Sequence, residues 1–126
     1  MNKLKFVIFI LFLTIGICTI SLKLTNDIAE SANNYLEKIE KYKDEKNFLA
    51  AEKICDELNE FWERKSKVLS MLIHHEMLEK MEENLQIIKT SCRHKSEIEI
   101  SKASASFVTY LKALVESDQI SLENVL

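Results

Sequence analysis

A chain with one glycine, Gly16, and no proline lacks most of the residues that reverse a strand tightly. Hairpins, sheets and barrels depend on turn positions with special backbone angles, and Gly and Pro are their main suppliers. Leu, Glu, Lys, Ala and Met are plentiful instead, and all are good helix formers. The fold class this predicts is all-α, with helices joined by short polar loops. The 126 residues leave room for one folded domain and an appended segment.

The appended segment lies at the amino terminus. From Phe6 to Leu22 runs FVIFILFLTIGICTISL, without a charge. Counted from Leu4, and so across Lys5, residues 4–22 make a helix of ~28 Å at ~1.5 Å per residue, against a hydrocarbon layer of ~30 Å. Lys3 and Lys5 on one side and Lys23 on the other are placed to reach the headgroups. A basic start followed by an apolar run is also the pattern of a signal sequence. However, the residues Thr19, Ile20, Ser21, Leu22 and Lys23 contain no small-x-small cleavage site, and Ile17 spoils a lipoprotein site at Cys18. Residues 1–24 are therefore expected to be a transmembrane anchor, or an uncleaved signal sequence, and residues 25–126 a helical bundle domain. Lys3, Lys5 and the terminal amine face Lys23, which Asp27 and Glu30 soon dilute. That imbalance places the amino terminus in the cytoplasm and the bundle outside it.

The 3.6-residue spacing of apolar side chains marks the helices beyond the anchor. Ile28, Ala32, Tyr35, Ile39 and Tyr42 form one seam. A cap at Asn26 or Asp27 fits it, and so does an unbroken continuation of the apolar helix. The polar run 44–47 ends it, with Asn47 as the next cap. Phe48, Ala51, Cys55, Leu58 and Trp62 follow on one face. The pattern pauses at 63–67, where Ser66 starts a new helix or one long helix passes through. Leu72, His75, Leu78, Met81, Leu85, Ile88 and Cys92 make a third seam. After 93–96, with Ser96 as cap, Ile100, Ala103, Phe107, Leu111 and Leu114 make a fourth. Ile120, Leu122, Val125 and Leu126 suggest a tail that docks on the helices. The expected architecture is an N-terminal transmembrane helix followed by an antiparallel bundle of three to four helices. The heptad-like steps leave self-association open.

Chemistry is sparse. Net charge is −3, and with Lys3, Lys5 and Lys23 set aside the rest holds 14 basic and 20 acidic side chains. An acidic domain repels phosphate backbones, so no nucleic-acid partner is expected. His75, Glu79 and Glu82 would share a helix face and could ligate a metal. Yet HEMLE has Glu79 where the zinc pattern needs its second His, and no Glu-x-x-His occurs for a di-iron site. The alternative puts His75 in the seam with a hydrogen-bond partner. Cys55 and Cys92 fall on apolar seams; core packing is the expected role and a disulfide between them the alternative. No nucleophile elbow or phosphate loop occurs. Trp62 reads as a core anchor, and the small residues of 101–106 as a site of close helix approach or a small cavity.

Two stretches carry a resemblance. SMLIHHEMLEKMEENL, residues 70–85, is similar to a helix with an L-I-x-H pattern, and SLENVL, residues 121–126, to an S-L-E-N-(I/V) ending. Together they resemble the bacterial domain-of-unknown-function family numbered four-three-six-three, found mainly in Gram-positive spore formers. Trp62, His75 and Asn124 stand at that family's motif positions. The residue before the motif His is often acidic there and is His74 here. The resemblance implies a small membrane-anchored helical protein and no activity. The expected function is an uncharacterised anchored module for protein contact or self-association outside the cytoplasm, not an enzyme, with no cofactor. A ligand-binding or sensory bundle is the alternative, and a metal-dependent enzyme using His75, Glu79 and Glu82 a third.

Overall fold

The computed structural model describes the backbone of residues 2–71 and 73–125, and their side chains as far as Glu116. Four helices occupy these residues: α1 Asn2–Asp44, α2 Phe48–Leu69, α3 His75–Arg93 and α4 Glu97–Val125. α1 packs on α2 and α4, and α3 packs on the same two, so the helices form a square, antiparallel, up-down-up-down bundle. The all-helical expectation holds.

α1 answers the question left open at Asn26. It runs 43 residues without a break. Nothing stops it: no Pro occurs, and Gly16 costs a helix only ~1 kcal/mol relative to Ala. Its two halves differ in surroundings. Leu4, Phe6, Phe9 and Phe12 are each more than 60% exposed, whereas Thr25, Ile28, Ala32, Leu36 and Ile39 are buried. The threonines of the apolar half turn their hydroxyls inward. Thr14 Oγ1 donates to the Ile10 carbonyl and Thr19 Oγ1 to the Ile15 carbonyl, both at 2.8 Å. An i−4 bond of this kind leaves no hydroxyl hydrogen unsatisfied in an apolar medium.

The core is the set of seams closed on one another. Ile39 from α1, Leu58 and Trp62 from α2, Leu85 and Ile88 from α3, and Phe107 and Leu114 from α4 are at most 1% exposed. Each such side chain contributes roughly 1.5–3 kcal/mol by leaving water. Trp62 meets Phe107 edge-to-face across the core, ring centroids 5.1 Å apart. That geometry suits the aromatic quadrupoles. Trp62 is the core anchor its sequence position suggested.

Two turns reverse the chain without glycine. Lys46 (φ 63°) and Lys95 (φ 58°) adopt the left-handed conformation. After α1, Asn47 N–H donates to the Tyr42 carbonyl at 2.8 Å and Lys46 N–H to the Lys43 carbonyl at 2.9 Å. After α3, Ser96 N–H donates to Ser91 and Lys95 N–H to Cys92 in the same pattern. These bonds satisfy the last carbonyls of each helix. Asn47 then caps α2 through its side-chain oxygen, which accepts from Ala50 N–H at 3.2 Å.

One open alternative is decided and one expectation needs correction. At 63–67 the helix passes through: α2 continues to Leu69, which is fully buried, and Ser66 Oγ bonds back to the Glu63 carbonyl at 3.1 Å. The segment 48–92 is two helices, α2 ending at Leu69 and α3 beginning at His75. Secondly, His75 is not in the third seam. α3 begins at His75, and its buried face begins at Leu78. Counting back by threes from Leu78 carried the pattern past the start of the buried face. The side chains of Ile120, Leu122, Val125 and Leu126, expected to dock on the helices, lie outside the described residues.

A left-handed Lys carries a steric cost that glycine does not. Lys95→Gly should therefore raise the unfolding free energy by about 1 kcal/mol, read from denaturant midpoints of the detergent-solubilised protein.

Candidate functional site

Three places on the bundle carry unusual chemistry: the unburied half of α1, a groove between α1 and α4, and a pair of buried thiols.

The unburied half of α1 is the largest. An 18-residue window in this helix has a mean hydropathy of 2.4, and none of it is buried. Length and apolarity are sufficient to cross a membrane. Beyond it, Leu49, Val68, Met71, Ile87 and Ile98 are the exposed large apolar side chains among the described residues.

The groove, of about 830 Å³, is open-sided and lies between α1 and α4. Leu36, Glu40, Ser101, Ser104 and Val108 are among its walls. Ser101, Ser104 and Ala105 of the small-residue stretch line this groove. Lys43 reaches across it with a side chain only 12% exposed. Its ammonium pairs with Glu40 and donates to Ser101 Oγ at 2.7 Å. Ser101 Oγ in turn donates to Glu40 Oε2 at 3.3 Å. The bond to Glu40 raises the Lys43 pKa above its ordinary value against the opposing effect of burial. Lys43, Glu40 and Ser101 thus satisfy one another. Ser104 Oγ, by contrast, is buried without a hydrogen-bond partner. The sequence singled out the small residues but gave no sign of the Lys43–Glu40–Ser101 network, whose members lie about 60 residues apart.

Cys55 and Cys92 are free thiols, both buried. Cys55 Sγ donates to the Leu85 carbonyl at 3.6 Å. Burial pushes the Cys55 pKa up to about 12 and the Cys92 pKa up to about 11. A thiol so raised is a poor nucleophile at neutral pH. The seam positions read from the sequence are those the structure gives.

The metal candidates do not converge. The His75 side chain is 81% exposed, with Nε2 3.2 Å from Glu79 Oε1. Glu82 is exposed. Among the described residues, no three His, Cys, Asp or Glu side chains are grouped to hold a metal ion. Trp62 and His75, two of the motif positions, serve different environments: one is core, the other the water-facing start of α3. Asn124 lies in the α4 backbone helix, and its side chain is outside the described residues.

These features define an all-helical protein with one unburied apolar helix at its amino terminus. The pattern of the family described as "Domain of unknown function (DUF4363)" matches residues 19–125, and the chain belongs to that family. No curated protein and no solved structure matches it.

The thiols make a pH-dependent prediction. Unfolded, each ionises near 9.0; folded, only near 11 to 12. Folding therefore holds protons that the unfolded chain releases, and the associated stability is full below pH 9 and falls as pH rises through the folded values. The drop in unfolding free energy between pH ~8 and ~10 should be smaller in Cys55→Ala than in the parent. Maleimide should label Cys55 and Cys92 only when denaturant is added.

Proposed function

We propose that the chain is a single-pass membrane-anchored interaction module. Residues 4–22 hold it in the bilayer, its amino terminus lies in the cytoplasm, and the bundle contacts another protein outside. No catalysis of its own is part of this reading. One observation carries it: the apolar window of α1 is wholly unburied within the chain. The same stretch in a soluble core helix would be covered by protein. Twelve of the residues 6–22 are Leu, Ile, Phe or Val. At about −0.3 to −0.6 kcal/mol each, they favour insertion by roughly 4–7 kcal/mol. The basic residues Lys3 and Lys5 support the cytoplasmic placement of the amino terminus.

The partner surface is best sought at the end remote from the anchor. Leu49, near the start of α2, is 81% exposed, and Ile98, near the start of α4, is 72% exposed. Both helices start at the far end of the bundle. Exposed aliphatic side chains among polar and charged neighbours, as at these helix starts, have the composition of an interface centre and rim.

A ligand-binding bundle is the second reading, favoured by Ser104. Its unpartnered hydroxyl lines the α1–α4 groove, where a bound molecule would complete its hydrogen bonding.

The anchored reading is tested with Leu49→Cys. A membrane-impermeant maleimide should label it on intact cells, and labelling only after lysis would reverse the orientation. Carbonate-washed membranes should retain the protein. Cross-linking in those membranes should trap a larger species that Leu49→Glu with Ile98→Glu removes. A doubled mass would identify the partner as a second copy.

A further inference from the structure

The groove between α1 and α4 is longer than its main cavity. A second groove, of about 300 Å³, shares Asn33 with the first and continues toward the anchor past Ala29, Lys112 and Val115. From Asp44 to Ala29 the two together span about 22 Å of α1 at ~1.5 Å per residue. Their floor is small and apolar. Ala105 is exposed there, and Val108 and Val115 are partly so. A long shallow trough between two helices of a bundle is the seat that a further helix fills.

The charges beside this trough separate by helix. On α1, Glu30, Asn33, Glu37 and Glu40 step by three and four and share its outer face. On α4 the same spacing joins Lys102, Ala105, Thr109, Lys112 and Glu116. Lys43 already holds Glu40 at 2.5 Å and Asp44 at 3.3 Å. Lys41 and Glu45, one turn apart, cancel in sum, and Asp27 and Lys38 stand further round α1, one of each sign. Glu30 and Glu37 are exposed and make no ion pair within the chain among the described residues, and the same holds for Lys112. Lys102 has only Glu99, at 3.8 Å, and its side chain is 72% exposed. The unmatched charges along the middle of this side are thus acids on α1 and cations on α4. Toward the anchor the signs reverse, with Lys23 on α1 and Glu116 on α4, both exposed.

The heights of these charges agree. Ser101 Oγ bonds Glu40, and the helices are antiparallel, so each residue onward in α4 is level with one backward in α1. By that counting Lys102 lies within one turn of Glu37, Lys112 of Glu30 and Glu116 of Lys23. Two copies anchored in one bilayer stand the same way up. A two-fold axis relating them runs along α1 and keeps every residue at its own height. Across such an axis, α1 of each copy faces α4 of the other, and each of these charges meets its opposite.

We propose that the α1–α4 side docks a second copy of this chain as a parallel two-fold dimer. Glu37 lies against the partner's Lys102, Glu30 against the partner's Lys112 and Lys23 against the partner's Glu116, with Ala105 and Val108 covered between them. Confinement to a membrane plane raises the effective concentration of the copies. The far end of the bundle stays open to another protein. The proposal rests on the anchored reading of α1, which sets the parallel orientation.

Charge reversal on the full chain tests it. One variant carries Glu30→Lys with Glu37→Lys, the other Lys102→Glu with Lys112→Glu. Each is made with Cys18→Ser and Lys53→Cys, an exposed position away from the trough, and labelled there with donor or acceptor dye. The proteins are reconstituted at high dilution in phosphatidylcholine vesicles at physiological salt, which screens charges that are not in contact. The parent should show energy transfer between copies. Each reversed variant alone should associate at least ~10-fold more weakly, because four cross-copy attractions become repulsions. The two variants mixed should recover the parent's transfer, since basic α1 then faces acidic α4 and the native halves face each other. That recovery also shows both variants to be folded. A parent that fails to float with the vesicles overturns the anchor and the dimer together. A parent that floats without energy transfer overturns the dimer alone. Transfer unchanged in both reversed variants overturns this side as the interface. Transfer lost in each variant and absent from the mixture overturns the pairing of α1 with the partner's α4.

Discussion

The hydrogen-bond ladder of α1 is the constraint on which the other features depend. It runs from Asn2 to Asp44 and joins a half whose apolar window is unburied to a half that supplies a quarter of the bundle core. Whatever surrounds the apolar half therefore fixes the height of everything attached to the other half. A helix interrupted by Gly and Pro near Lys23 would have hinged there. This chain has no Pro, its one Gly, Gly16, lies well before Lys23, and Thr25 Oγ1, bonded to the Ser21 carbonyl at 2.8 Å, keeps even that hydroxyl within the helix.

The bundle that α1 enters is held mainly by apolar burial. Its inter-helix ion pairs, Lys89–Asp56 at 2.9 Å and Arg93–Glu52 at 2.7 Å, lie at partly exposed positions between α2 and α3. Pairs of that kind contribute less than about 1 kcal/mol each in water. They fix which helix lies beside which more than they add stability. Among the described residues, two buried polar atoms in the core lack a partner, Trp62 Nε1 and Ser104 Oγ. Each costs about 1–3 kcal/mol of desolvation, which the surrounding apolar contacts offset.

Much of the fold was legible because the seams are regular. Ile28, Ala32 and Ile39, then Ala51, Cys55, Leu58 and Trp62, then Ile100 through Leu114 were assigned by spacing and are buried. The breaks at 44–47 and 93–96, and the cap at Asn47, were legible from their polarity. That left-handed lysines would close those turns was not legible, since Lys has no preference for that conformation. The buried face of α3 was started too early because His75 happens to continue the spacing of Leu78 and Met81. That one misplacement put His75 in the core, when it stands in water beside Glu79. The groove network was hidden for a different reason. Lys43, Glu40 and Ser101 become neighbours only once the antiparallel register of α1 and α4 is set, and no local pattern encodes that register.

Amide hydrogen exchange of the full chain in lipid nanodiscs tests the central claim, that one rigid helix passes from lipid into the bundle. The account predicts slow exchange from Phe6 through Ile28 without a gap, because lipid protects one half and core packing the other. Fast exchange confined to residues 22–26 would reveal a hinge there, and would contradict the coupling between anchor and bundle.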